Sequence, residues 1–252
     1  MTPLRLAMWS GPRNISTAMM RSWENRGDCA VVDEPLYAHY LAHTGLDHPG
    51  REQVVAAGET DWRKVAAYLT GPVPDGKAIF YQKHMTHHLL PHIGRAWLAG
   101  LTHVFLIRDP RAVLVSYIRT RREVTAEDLG SLQQLEIFQH LAQLTGRAPP
   151  VIDADEFLKA PEAQLRSLCA ELAISFTPRM LEWPPGPRAT DGVWAPYWYE
   201  RVLKSTRFEP YEPRDPRVPP EHEAVVAAVW PSYERLFAQR LREERPAGVS
   251  RP

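Results

Sequence analysis

The sequence predicts an α/β domain with a central parallel β-sheet of about five strands, flanked by helices. Three observations predict it. Short, continuous apolar runs alternate with helix-like segments, the pattern of strands buried on both faces. Clusters of turn-forming residues close each run. The residues with unusual chemistry follow those runs directly, and ligands bind at the carboxyl ends of strands in open parallel sheets.

Residues 4–9 read as a buried strand, ended by Ser10-Gly11-Pro12. Residues 16–24 read as a helix, and residues 29–32 as a second strand closed by Asp33-Glu34-Pro35. A helix over 61–69 and a loop over 71–76 lead to a third strand at 78–82. The fourth strand, 103–107, stops at Arg108-Asp109-Pro110, and Pro110 opens a helix through about residue 121. A longer helix over 127–144, a fifth strand at 151–153 and a helix over 161–172 follow. Residues 183–220, rich in Pro, Gly and Trp, wrap the surface with one short helix near 196–204. The helix expected over 220–243 carries Val226, Val229, Trp230, Tyr233 and Leu236 on one face. That face docks on the domain body in the first reading and forms a homodimer contact in the second.

At 252 residues, 44% hydrophobic and 24% charged, the chain suits one domain, here placed at residues 1–245 with a disordered tail at 246–252. The formal net charge is zero, so no nucleic acid and no anionic membrane is expected as a partner. Cys29 and Cys169 are read as buried free thiols. No apolar run reaches membrane-spanning length, and the first nine residues lack the form of a signal peptide. A cytoplasmic protein is the expectation.

Two segments are built to hold anions. Gly11-Pro12-Arg13-Asn14-Ile15-Ser16-Thr17 lies between a strand and a helix. Free N–H groups at the helix start, two hydroxyls and the Arg13 cation suit a phosphate. This is not a Walker A loop, because Thr17 stands where that motif needs Lys. The second segment repeats the logic with Arg108 at a strand end and Ser116 eight residues on, along the next helix. A ligand with two separated anionic groups explains both.

These residues resemble the sulfotransferase family. Pro12 to Thr17 is similar to its 5′-phosphosulfate loop, and Arg108 to Ser116 to its 3′-phosphate motif. Residues 151–158, followed by Pro161, resemble a third family segment, and Arg188-Ala189-Thr190-Asp191-Gly192-Val193-Trp194 a fourth. The resemblance implies a P-loop-like fold and 3′-phosphoadenosine 5′-phosphosulfate as co-substrate. It also implies transfer of a sulfuryl group to a small-molecule acceptor, and Arg188 and Gly192 as donor-binding residues. Arg13 replaces the family's usual Lys and Ile15 a Gly, and Ile15 narrows the backbone conformations open to the loop.

Sulfuryl transfer needs a positioned donor, charge on the leaving phosphate offset, and a base near the acceptor proton. Arg13 faces the leaving group in this scheme, and no metal is expected. Glu34 is the preferred base: it follows the second strand, Pro35 holds it extended, and it resembles the Glu-Pro element of carbohydrate and bacterial members. The alternative is a histidine of the 84–88 cluster, His84 or His87 first, which loosely resembles the "KTH" segment of cytosolic members. His84, His88 and His92 are spaced as on one helix face, but neither Cys nor HExxH accompanies them, so zinc is not expected. Two other functions stay open: a P-loop kinase or NTPase, with Asp33-Glu34 as its Walker B end, and a non-catalytic nucleotide-binding domain. Trp194, Tyr197, Trp198 and Tyr199 are candidates for lining an acceptor pocket.

Overall fold

The computed structural model describes residues 2–119, 123–213 and 216–242. Its centre is a five-stranded, all-parallel sheet in the order β2-β3-β1-β4-β5. The strands are β1 (Leu4–Ser10), β2 (Cys29–Asp33), β3 (Ile79–Met85), β4 (Thr102–Ile107) and β5 (Val151–Asp153). Burial is nearly continuous along β1, β3 and β4, as helices on both faces require. Helix α1 (Ser16–Glu24) follows β1. Helices α2 (Tyr37–Thr44), α3 (Arg51–Ala57) and α4 (Trp62–Thr70) lie between β2 and β3.

After β4 come α5 (Pro110–Tyr117) and α6 (Ser131–Thr145), and after β5 come α7 (Ala154–Lys159) and α8 (Pro161–Glu171). Short helices α9 (Ala195–Trp198) and α10 (Glu200–Lys204) precede α11 (Glu223–Ala238). Two clusters fill the two sides of the sheet. Met19, Met20 and Trp23 of α1 pack with Leu6, Met8 and Tyr81 on one side. Val65, Leu69, Ile137, Tyr233 and Leu236 pack with Ala7, Phe80 and Phe105 on the other. Helix α11 thus docks on the domain body, and its buried face is the one the apolar spacing marks out.

Several elements differ from the sequence reading. Residues 36–60 were assigned no element, yet they form α2 and α3. The third strand runs to Met85, three residues further than expected. The fourth-strand helix is described through Tyr117, and the expected end at 121 and the 246–252 tail lie outside the described residues. The expected 127–144 helix divides at Gly130, whose left-handed φ of 77° ends a 3₁₀ turn before α6 begins. No helix among the described residues is long and apolar enough to cross a membrane.

Candidate active site

The first anion segment forms the turn from β1 into α1. Gly11 packs closely, since a Cβ there would sit 3.2 Å from the Leu129 carbonyl oxygen. Asn14 braces the turn: its Oδ1 accepts from Ile15 N–H at 2.8 Å and its Nδ2 donates to Leu106 O at 3.1 Å. Gln134 donates to the same Leu106 carbonyl at 3.0 Å. Ile15 adopts φ −85° and its side chain packs against the core, so the loop asks no glycine freedom of it. The unusual backbone falls on Arg13, at φ 55°. A non-glycine residue held there is strained, and such strain concentrates at functional positions.

The two anion segments meet. Arg13 Nε donates to Ser116 Oγ at 2.9 Å, and the Arg108 guanidinium donates to Arg13 O at 2.7 Å. Asp109 is engaged by Arg111, and it caps α5 by accepting from Arg111 N–H. Helix α1 begins at buried Ser16 with no side-chain cap on its N-terminus. Its first-turn N–H groups therefore have no intrahelical acceptor and no capping oxygen from Ile15.

A second cluster gathers at the ends of β2 and β3. Lys83, 1% exposed, donates to Asp33 Oδ1 at 2.9 Å, Glu34 Oε1 at 2.8 Å and Tyr199 OH at 2.7 Å. Tyr199 OH donates to Asp33 Oδ2 at 2.5 Å and accepts from Trp194 Nε1 at 3.2 Å. Gly192 N–H also donates to Asp33 Oδ2, at 3.3 Å. Burial opposes the charge on Lys83, yet Asp33, Glu34 and Tyr199 hold its pKa well above the usual lysine value. Burial raises Glu34 above the ordinary carboxylate pKa, against the lowering effect of Lys83.

Glu34 is not extended, as Pro35 predicts, but sits at φ 41°. Its N–H donates to Lys83 O at 2.9 Å, and its C=O accepts from Tyr37 N–H at 2.9 Å. One bond prolongs the pairing with β3 and the other turns the chain into α2, which together override the preference of a residue before proline. Its Oε2 lies 3.9 Å from His88 Nδ1. The His88 ring stacks on Tyr37 at 4.7 Å, and burial first, then His87, His48 and Lys83, lower its pKa well below the usual imidazole value.

The histidine candidates separate. Because β3 continues to Met85, strand alternation sends His84 to the face opposite Lys83. There it stacks on Trp9 at 4.4 Å, and burial brings its pKa down to about 3. His84 is a core residue and is not brought to Glu34. The one-face spacing of His84, His88 and His92 fails for the same reason. His87 packs against Tyr40 and His88, on the side of α2.

The fourth sequence segment is held by α1 and by Asp33. Arg188 pairs with Glu24 at 2.7 Å, at the far end of α1 from Ser16, about 12 Å along a helix of this length. Asp191 pairs with buried Arg21 at 2.7 Å. Gly192 lies beside Asp33, to which its N–H donates. A Cβ on it would run into the Trp194 ring, 2.2 Å away. Of the four aromatics, Trp194 and Tyr199 are buried at the carboxylate cluster, and Tyr197 and Trp198 are exposed. Sequence reasoning missed the role of Lys83, Tyr199, Gly130 and Gln134. Only the charge of Lys83 at a strand end offered a signal. No cluster of three or more metal-ligating side chains is arranged to hold an ion among the described residues.

Comparison with known proteins agrees with this architecture. Two solved structures share the fold. The sulfotransferase from Alicyclobacillus acidocaldarius is 14% identical with TM-score 0.54, covering 94% of this chain and 96% of that one. The sulfotransferase domain from the Synechococcus PCC 7002 olefin synthase is also 14% identical, with TM-score 0.53, covering 95% and 96%. Among curated proteins, the chain is 36% identical over 228 residues to branched-chain-amino-acid aminotransferase-like protein 2 of Arabidopsis thaliana. It is 38% identical over 231 residues to protein 1 of that name from the same plant. It covers 90% of itself in both matches and spans only 40% of the length of either relative. The family model described as the sulfotransferase domain matches residues 4–240, from the first residue of β1 to just past α11, and the chain belongs to the sulfotransferase family.

Proposed function

We propose that this domain transfers a sulfuryl group from 3′-phosphoadenosine 5′-phosphosulfate to a hydroxyl or amine of a small-molecule acceptor. The contact of Arg13 with Ser116 and of Arg108 with the Arg13 carbonyl carries the reading, because it joins the two anion segments into one basic site. A donor with a phosphosulfate and a separate 3′-phosphate suits such a site. Residues 11–17 and the uncapped start of α1 would hold the 5′ side, and Arg108 with Ser116 the 3′ side. Arg188 serves this scheme as an anchor of the 188–194 segment against Glu24.

Glu34 takes the proton from the acceptor as its oxygen or nitrogen bonds to sulfur. The bond from sulfur to the bridging phosphate oxygen breaks, and 3′,5′-diphosphoadenosine departs. Arg13 offsets the charge that develops on that leaving oxygen. Lys83 fixes the Glu34 carboxylate, and burial keeps its pKa nearer to neutrality, where a general base works best.

Ligand-dependent melting tests the donor assignment. 3′,5′-Diphosphoadenosine at 100 times its Kd should add about 2.7 kcal/mol of stability. A rise in Tm with ATP and magnesium, and none with millimolar diphosphoadenosine, contradicts the proposal and favours a kinase.

A further inference from the structure

A cavity of about 430 Å³ lies along the end of β2. That strand is at the edge of the sheet, so the space beside it is bounded by helices and loops. Val32, Ala38, Val54, Ala57, Val65 and Trp194 supply its apolar lining. Asp33 and Glu34 also line it, so the cavity adjoins the proposed base. Tyr68 and Val193 mark its solvent edge, being 48% and 44% exposed despite their apolar bulk. The volume falls within the ordinary range of small-molecule sites.

The charges around the cavity are nearly matched. Asp191 pairs with Arg21 at 2.7 Å and Glu59 with Lys64 at 3.5 Å. Asp33 and Glu34 share the single cation of Lys83, which leaves at most one net negative charge on that wall. Lys64, the cation in the lining, is mostly exposed at the rim, and Glu59 offsets its charge from 3.5 Å. An acceptor bearing a carboxylate or phosphate meets negative charge without a free counter-ion. A sugar would leave without partners the hydroxyls that face Val32, Ala38, Val54, Ala57 and Val65.

Resting on the sulfotransferase reading above, we propose that this cavity binds the acceptor and that the acceptor is an apolar alcohol or amine without an acidic group. Its hydrocarbon or aromatic body lies against the aliphatic lining, with the hydroxyl or amine beside Glu34.

The test is a matched set of hexan-1-ol, hexylamine, 6-hydroxyhexanoate and glucose, each offered with ³⁵S-labelled donor. The variants are Ala57→Trp and Ala57→Arg, at an exposed position on the last turn of α3, where a larger side chain alters the cavity rim and not the core. The expected result is a kcat/KM for hexan-1-ol or hexylamine at least about tenfold above that for 6-hydroxyhexanoate and glucose. Ala57→Trp should lower that kcat/KM mainly through KM, with diphosphoadenosine affinity by calorimetry unchanged. Ala57→Arg, which adds an unmatched cation, should shift preference toward 6-hydroxyhexanoate. Preference of the unmodified protein for 6-hydroxyhexanoate or glucose overturns the inference. So does indifference to Ala57→Trp, or transfer to none of the four. Diphosphoadenosine binding with any of these results leaves the donor reading standing. Its absence overturns that reading and this one together.

Discussion

Lys83→Met removes the cation that Asp33, Glu34 and Tyr199 all face, at 2.9, 2.8 and 2.7 Å. Breaking a buried ion pair by deleting one partner costs about 3–5 kcal/mol. A chain of this size loses about 2–4 °C of Tm per kcal/mol, so the melting temperature should fall by about 6–20 °C at pH 7. The pH dependence separates this mechanism from mere loss of packing. Without Lys83, the pKa that burial already raises in Glu34 rises further. Between the unfolded and the folded pKa of Glu34, the folded variant then binds a proton that the unfolded chain does not. A carboxyl with a raised folded pKa gives stability that is full below its unfolded pKa and is lost as pH rises through its folded pKa. Lys83 itself stays charged in the parent protein, since its pKa is raised well above the lysine value. The gap in Tm between variant and parent should therefore narrow from pH 7 to pH 5, followed by circular dichroism. Tyr199→Phe, which deletes only the hydroxyl and keeps the Lys83–Glu34 pair, should show a smaller loss of Tm without that narrowing. For Lys83→Met, a gap below 2 °C at pH 7, or one equal at both pH values, refutes the reasoning.

Three other outcomes are expected. Arg108→Ala should weaken diphosphoadenosine by about 1.5–3 kcal/mol, the range for a charged hydrogen bond, measured by calorimetry. An unchanged Kd would remove Arg108 from the donor site. His84→Leu should lower stability and leave the rate–pH profile unchanged, because His84 is neutral in the core with a pKa near 3. A profile altered by His84→Leu would restore it as a base. Asp153 is pushed up to about 6, by burial above all and against hydrogen bonds from Glu156 N–H and Tyr233 OH. Its stabilising contribution is full below the unfolded value and is lost as pH rises through about 6. Asp153→Asn keeps a capping oxygen for α7 without the charge. It should raise stability at pH 8 by about 1–3 kcal/mol, with the gain gone at pH 4. Equal gains at both pH values would contradict this account.

The sheet was legible because its strands are short, apolar and punctuated. β5 was read at its observed bounds, and the turn holding Arg13 was placed where it occurs. Helices α2 and α3 were not legible, since α2 is crowded with His and Tyr and lacks a clean apolar period. Arg13 and Ser116 were each singled out in the sequence, but as members of two separate segments, and their contact across 103 residues is visible only in the structure. The bond from Lys83 to Tyr199 spans 116 residues, and Tyr199 carries no mark beyond its aromatic neighbours. The boundary of β3 mattered more than any motif. Three further residues of strand decide that Lys83 meets the carboxylates and His84 enters the core. Arg188 was marked by its motif alone, and its pairing with Glu24 across the chain carried no mark in the sequence.

The most direct test of the account is the rate–pH profile of sulfuryl transfer for the parent protein and Glu34→Gln, side by side on one acceptor. Glu34 as the base predicts an ascending limb, displaced above the ordinary glutamate value because burial raises its pKa. Glu34→Gln should abolish that limb and lower turnover about 10²–10⁴-fold, while diphosphoadenosine still binds. Turnover of Glu34→Gln near that of the parent, with the limb intact, would contradict the account and leave Glu34 as a structural partner of Lys83.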